Sequence, residues 1–243
     1  VRMCCLGHYI PAFVKHAAHS GFDCIWLDLE HRNIADRDVE TLLTHSHLHD
    51  IDIMVRPPTL EKTRLYRYLE DGAAGLMIPH VNDAAKAKML VDSVKFPPLG
   101  DRGIDGAGLD ADYFVDGMPG VEDYLSNVND ETFLVVQVET PTAVEAVSEI
   151  AAVPGVDAIF VGPGDLGLRL KHYAGDMTLD SAFADTDAAC KKNGKAWGCP
   201  VGTAEALAER QTQGAQLLAH GGDFAAMQKM LHDCAANFDN NPR

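Results

Sequence analysis

Short apolar runs recur along the chain, and almost every one is followed by a stretch with helical spacing. The runs are Val1–Leu6, Cys24–Leu29, Ile51–Val55, Gly75–Ile78, Phe133–Val138, Ala158–Val161, Lys195–Cys199 and Gln216–Ala219. Short and bounded by turn residues, they read as buried parallel strands. The helical stretches are Ile10–Ser20, Ala35–His47, Leu60–Glu70, Asp83–Val94, Ala143–Ala152, Leu179–Asn193, Ala204–Thr212 and Phe224–Ala236. A long polar loop, Pro97–Gly120, interrupts the rhythm. Alternation of strand and helix predicts a parallel sheet. Eight such units in 243 residues choose a closed (β/α)8 TIM barrel over a doubly wound sheet. No linker or low-complexity segment intervenes, so residues 1–243 read as a single domain.

In such a barrel the residues closing each strand at its C-terminal end build the site. They are Asp28, Glu30 and His31 after the second strand, Arg56 after the third, and Pro79 and His80 after the fourth. Gln137 and Glu139 follow the fifth strand, Gly164 and Asp165 the sixth, Pro200 the seventh, and His220 and Asp223 the eighth. Two neighbouring strands thus run into carboxylates. Phe133–Val138 ends at Glu139, and Ala158–Val161 passes through Gly162-Pro163-Gly164 to Asp165. Two hard oxygen ligands so placed suit Mg²⁺ or Mn²⁺. Equally, each acid is able to cap the helix that follows it.

Several charges on one face have no packing rationale, because buried charge is costly unless paired. Each residue also has a plainer reading. His31 could be a core or capping histidine, and Arg56 a structural partner of Glu30 or Asp28. His80 and His220 read as structural rather than catalytic. Gly221-Gly222-Asp223 stands where many barrels bind phosphate, although a simple turn explains it too. No Lys closes a strand on this face, which disfavours a Schiff base.

Composition narrows the partners. With 20 basic and 36 acidic side chains the net charge is −16, and no basic patch stands out. Nucleic acid and anionic membrane surfaces are therefore disfavoured, and an anionic substrate needs a local cation or metal. No apolar run approaches the ~18 residues of a membrane span. Six cysteines without a CxxC pair, and no secretory signal, are expected to be reduced thiols of a cytoplasmic protein.

Several motifs occur together and in order: Gly21-Phe22-Asp23 with Leu27-Asp28-Leu29-Glu30-His31; Val55-Arg56-Pro57; and Gly72-Ala73-Ala74-Gly75-Leu76-Met77-Ile78-Pro79. They continue with Phe96-Pro97-Pro98-Leu99-Gly100 and Arg102-Gly103, Gln137-Val138-Glu139-Thr140, and Phe160-Val161-Gly162-Pro163-Gly164-Asp165-Leu166. This set resembles the HpcH/HpaI aldolase family, class II metal-dependent 2-oxo-acid aldolases, over nearly the whole chain. The resemblance implies a barrel of the phosphoenolpyruvate/pyruvate type in which Glu139 and Asp165 hold one divalent ion, Mg²⁺, Mn²⁺ or Co²⁺. It implies that the pyruvate carboxylate meets the backbone of Gly164 and Asp165 near Gln137. Arg56 would lie on the keto oxygen, and His31 would be the general base. It also implies a homo-oligomer, a hexamer built as a trimer of dimers with a swapped last helix. The substrate would be a 4-hydroxy-2-oxo acid of the 2-keto-3-deoxy sugar acid type, cleaved to pyruvate and an aldehyde.

Two positions depart from the family pattern. The acid that orients the histidine from a neighbouring subunit is matched by Glu70, with Asp71 beside it, rather than by a lone Asp. After Arg102-Gly103, a loop that is basic in several relatives reads Gly108-Leu109-Asp110-Ala111-Asp112-Tyr113. Its acidity suggests a neutral or polyhydroxylated acceptor. Rival readings are oxaloacetate decarboxylation or another carbon–carbon lyase reaction on the same site, a metal-independent phosphosugar barrel using Gly221-Gly222, and a non-catalytic sensor of 2-oxo acids.

Overall fold

A computed structural model of the chain describes residues 1–115 and 120–239. Eight strands close a parallel barrel in sequence order. They are β1 (Arg2–Leu6), β2 (Cys24–Asp28), β3 (Asp52–Arg56), β4 (Gly75–Ile78), β5 (Phe133–Val138), β6 (Ala158–Val161), β7 (Ala196–Val201) and β8 (Leu217–Gly222). The helices are α1 (Pro11–His19), α2 (Asp36–His49), α3 (Lys62–Glu70), α4 (Ala84–Val94), α5 (Val121–Glu131) and α6 (Pro141–Glu145). They continue with α7 (Val147–Ala151), α8 (Pro163–Leu170), α9 (Leu179–Asn193), α10 (Ala204–Thr212) and α11 (Asp223–Asp239). The expected barrel is thus observed.

Local chemistry sets the helix starts. The Glu61 side chain accepts the N–H groups of Thr63 and Arg64, and Asp83 accepts that of Lys86. Thr178 and Ser181 form a capping box, and Gly194 closes α9 in the left-handed region. Two helices went unmarked in the sequence. One is α5, just beyond the Pro97–Gly120 loop. That loop contains a short 3-10 turn, Leu109–Phe114, and its residues 116–119 lie outside the described residues. The other is α8, where Gly162-Pro163-Gly164 reads as a turn. Pro163 instead occupies the first helical turn, where its missing N–H costs nothing. The single helix expected over Ala143–Ala152 breaks at Ala146 into α6 and α7. Strand β8 runs on to Gly222, with Gly221 in the left-handed region at φ +82°, so the expected turn falls inside the strand's end. β1 packs closely against it. A Cβ on Gly222 would stand 2.7 Å from the Cys5 carbonyl oxygen.

Period-2 alternation divides each strand between two cores. Ile25, Leu27, Ile53, Val55, Val136, Val138 and Ile159 face the helices in the large outer core. Met3, Cys24, Trp26, Met54, Met77, Val135, Ala158 and Phe160 fill the barrel interior. Trp26 and Phe160 meet edge-to-face there, with centroids 5.6 Å apart. This plug closes the barrel, and the next inward residue on each strand stands above it at the C-terminal mouth.

Gly198 lets β7 and β8 approach, since a Cβ there would lie 1.8 Å from the Leu217 carbonyl oxygen. Gly198→Ala is therefore expected to destabilise the barrel by about 3 kcal/mol, through overpacking against backbone. A lower urea midpoint with an unchanged m value would record it.

Candidate active site

Three strand ends supply the first layer of the mouth. Asp28 and Arg56 are register partners on β2 and β3, and both point inward by the alternation that buries Trp26 and Met54. Arg56 is 7% exposed. Its Nε donates to Asp28 Oδ1 at 3.0 Å, and its Nη2 lies 2.9 Å from Asp28 Oδ2, a two-point grip. Nη1 lies 3.1 Å from Glu30 and donates to Gln137 Oε1 at 3.4 Å. The guanidinium rests over Trp26, 4.6 Å from the ring centre. Arg56 is thus the structural partner of both Asp28 and Glu30, one of the plain alternatives, and still lines the mouth. Asp28 Oδ1 also accepts the backbone N–H groups of Glu30 and His31, which fixes the loop carrying both. The His31 ring is more than half exposed, 3.6 Å from Glu30 through Nε2.

Glu139 lies one residue beyond β5 and is 3% exposed. Its Oε1 accepts the His80 backbone N–H at 2.7 Å and lies 3.0 Å from His80 Nδ1. His80 is held in the left-handed region at φ +55°, and its Nε2 lies 3.7 Å from Glu30. Asp165 sits in the first turn of α8, where the helix dipole favours an anion. Arg169, one turn on, donates to Asp165 at 2.5 Å and to the Glu139 carbonyl at 3.4 Å, so one guanidinium links the two acidic positions. Gly162 makes room between them, since a Cβ there would stand 2.5 Å from Glu139 Oε2. Burial pushes the Glu139 carboxyl above the usual range, and the charges of Asp165 and Glu30 add to it. The His80 N–H and ring pull the other way.

This donor set fits a hard divalent ion held from one side. Among the described residues no group of three or more His, Cys, Asp and Glu side chains is arranged to hold a metal. Glu139 and Asp165 are oxygen donors of the kind such an ion takes, and two donors alone leave the rest of a shell to water or to a chelating 2-oxo acid.

The structure brings together Asp28, Glu30, Arg56, Gln137 and Glu139, with His31 at the rim and Gly164 and Asp165 on α8. It does not bring Glu70 to His31 within one chain. Glu70 ends α3, and its carbonyl lies beside Gly108, at the N-terminal end of the barrel. The acidic loop lies there too. Asp110 is tied to Arg102 at 2.9 Å and to the Tyr124 hydroxyl at 3.1 Å, so within this chain it is an internal ion-pair partner. His80, expected at the strand end but in a structural role, joins the centre through Glu139 and Glu30. Arg169 was missed and had no signal, because α8 was read as a turn. His220 contacts the Val201 carbonyl at 3.0 Å, in keeping with a structural role.

The profile of the HpcH/HpaI aldolase/citrate lyase family matches residues 3–228. A hydroxypyruvate/pyruvate aldolase of Deinococcus radiodurans is 33% identical, over 98% of this chain and 85% of its own. A 4-hydroxy-2-oxo-heptane-1,7-dioate aldolase of Klebsiella pneumoniae is 31% identical, over 92% and 84%. Among solved structures, the HpcH/HpaI aldolase from Desulfitobacterium hafniense superposes with a TM-score of 0.91 at 29% identity, covering all of this chain and 93% of that one.

The ion pair and the rim histidine should separate in a stability assay. Asp28→Ala leaves the Arg56 charge buried and is expected to cost about 3 kcal/mol. His31→Ala removes an exposed ring and should stay within about 0.5 kcal/mol of the parent. Chemical denaturation of both variants checks this.

Proposed function

The chain belongs to the HpcH/HpaI aldolase/citrate lyase family and is a carbon–carbon lyase, and on that premise we propose that it is a class II aldolase. Its substrate would be a 4-hydroxy-2-oxo acid of the 2-keto-3-deoxy sugar acid type, cleaved reversibly to pyruvate and an aldehyde. The observation that carries this reading is the buried guanidinium of Arg56, gripped by Asp28 and standing in one mouth with the Glu139–Asp165 pair.

Glu139 and Asp165 would hold a divalent ion, Mg²⁺, Mn²⁺ or Co²⁺. When bound, it supplies Lewis acidity toward the carboxylate and keto oxygens of a 2-oxo acid. The protein groups have separate tasks. Retro-aldol cleavage requires removal of the C4 hydroxyl proton, and His31, open at the rim and free to turn, is the base. Negative charge then develops on the pyruvate oxygen. Arg56 offers it a fixed donor, because only one N–H of Nη2 is needed for Asp28. Gln137, held by Nη1 of Arg56, limits how the pyruvate unit lies. The backbone N–H groups of Gly164 and Asp165, at the start of α8, receive its carboxylate. The same reading takes residues 1–243 as one barrel domain and the active form as a hexamer, a trimer of dimers, in which Glu70 of a neighbouring copy orients His31. Its setting is the cytoplasm, in keeping with six unpaired cysteines.

Pyruvate in D₂O tests the proposal. With Mn²⁺, the methyl signal is expected to decay by exchange, and EDTA should stop it. Absence of exchange with any of the three metals would refute the aldolase reading. The raised carboxyl of Glu139 predicts a direction with pH. An acid whose pKa is raised is ionised only above that value, so Mn²⁺ affinity should fall as pH drops through it. The fall should begin above the ordinary glutamate value of about 4.3. Titration of Mn²⁺ across pH, with Glu139→Gln as the insensitive reference, measures it.

A further inference from the structure

His80 does more at the mouth than the turn after β4 requires. Its backbone stands in the left-handed region at φ +55°, an unfavourable place for a residue with a side chain. Three contacts hold it there. The His80 N–H donates to Oε1 of Glu139 at 2.7 Å, and its carbonyl accepts from Nζ of Lys86 at 2.9 Å. The next N–H, that of Val81, donates to the Gln137 carbonyl at 3.1 Å. Close by, the Thr140 hydroxyl donates to Oδ1 of Asn82 at 2.7 Å. The loop is thereby fastened to the end of β5, where Glu139 stands. Glycine or asparagine would fit such a turn with less strain. Histidine adds a ring, and the ring returns to the same carboxylate.

Nδ1 of His80 lies 3.0 Å from Oε1 of Glu139, the oxygen that already accepts the backbone N–H. On the other edge of the ring, Nε2 lies 3.7 Å from Glu30. The imidazole therefore stands between two carboxylates, and two nitrogens of one residue crowd Oε1. Oε2 is placed differently. It faces Gly162, where a Cβ would stand 2.5 Å away, and so lies against the start of α8, the helix that carries Asp165. Among the described residues Oε2 accepts no hydrogen bond.

We propose that His80 is a positioning residue that sets which divalent ion the centre takes. By occupying Oε1 it leaves Glu139 a single oxygen, Oε2, to offer. Mg²⁺ and Mn²⁺ suit carboxylates that give one oxygen each to a compact octahedral shell. Ca²⁺ takes about six to eight oxygens and favours carboxylates that give both. His80 thus disfavours Ca²⁺ without touching the ion. The inference rests on the reading of Glu139 and Asp165 as metal ligands and adds to it the choice of ion.

The test uses the full chain, freed of metal with EDTA and dialysed, at one fixed pH and without substrate. EPR counts free Mn²⁺, and Ca²⁺ is titrated in competition. The quantity read is the ratio of the Ca²⁺ and Mn²⁺ dissociation constants. A general weakening of the mouth changes both constants together and leaves the ratio alone. The parent is expected to prefer Mn²⁺. In His80→Ala the ratio should fall about tenfold, the size of an outer-shell effect on metal affinity. In His80→Asn it should stay near the parent value, because the asparagine amide stands where Nδ1 stands and tolerates the left-handed backbone. Pulsed EPR of the bound Mn²⁺ gives a second reading, and no directly coordinated imidazole nitrogen is expected. A parent that prefers Ca²⁺, an unchanged ratio in His80→Ala, an equal fall in His80→Asn, or a coordinated imidazole nitrogen that His80→Ala abolishes would each overturn the proposal. Absence of Mn²⁺ binding in the parent would overturn the metal centre with it. An unchanged ratio beside intact Mn²⁺ binding and pyruvate exchange would refute the role of His80 alone. Loss of that exchange with the shift in ratio intact would instead refute the aldolase reading alone.

Discussion

A guanidinium almost cut off from water must have its charge answered within a few ångströms, and much of this mouth follows from how Arg56 meets that demand. Asp28 grips it at two points because β2 and β3 pair in a register that sets the two residues side by side. The Trp26–Phe160 plug sets the floor on which the guanidinium rests. Asp28 uses its remaining capacity to hold the backbone of Glu30 and His31. Glu30 then reaches both Arg56 and His80, and His80 gives its backbone N–H to Glu139. Side chains from β2, β3 and β6 and from the loops after β2, β4 and β5 are in this way connected to one buried charge.

Acidity is managed differently at the two ends of the barrel. At the mouth, Asp28, Glu30, Glu139 and Asp165 are gathered around Arg56, His80 and Arg169, and burial raises the Glu139 carboxyl. Such a centre accepts added positive charge readily, which suits a divalent ion. At the opposite end, Asp110 is paired with Arg102 through Oδ2, and that guanidinium lies over Phe96 at 4.4 Å. An acidic stretch in the sequence is therefore no guide to the substrate until its partners are known.

The position of Asp165 shows how a small local choice serves the site. Pro163 starts α8 directly after β6, which puts the acid in the first helical turn and Arg169 one turn below it. Gly162, without a side chain, leaves the space that Glu139 fills. Strand, turn and helix start thus fall within a few residues, and the two acids come from adjacent strands through the β5–β6 pairing.

The eightfold alternation of apolar runs and helical stretches determined the barrel by itself, because strand burial and helix periodicity are local properties of the chain. That Asp28, Arg56, Gln137 and Glu139 stand together at the mouth was legible for the same reason. A charge ending a buried strand needs an explanation that packing does not supply. Other features were settled only in three dimensions. Which acid answers which cation depends on strand register, so the sequence offered Glu30 or Asp28 as a partner for Arg56, and only the β2–β3 register showed that Arg56 takes both. The short helix α8 was hidden behind a Gly-Pro-Gly signal that turns and helix starts share, and Arg169 was hidden with it. His8 carried no mark at all. Its partner Asp223 is 215 residues away in the chain, and only closure of β1 against β8 brings the carboxylate to the ring.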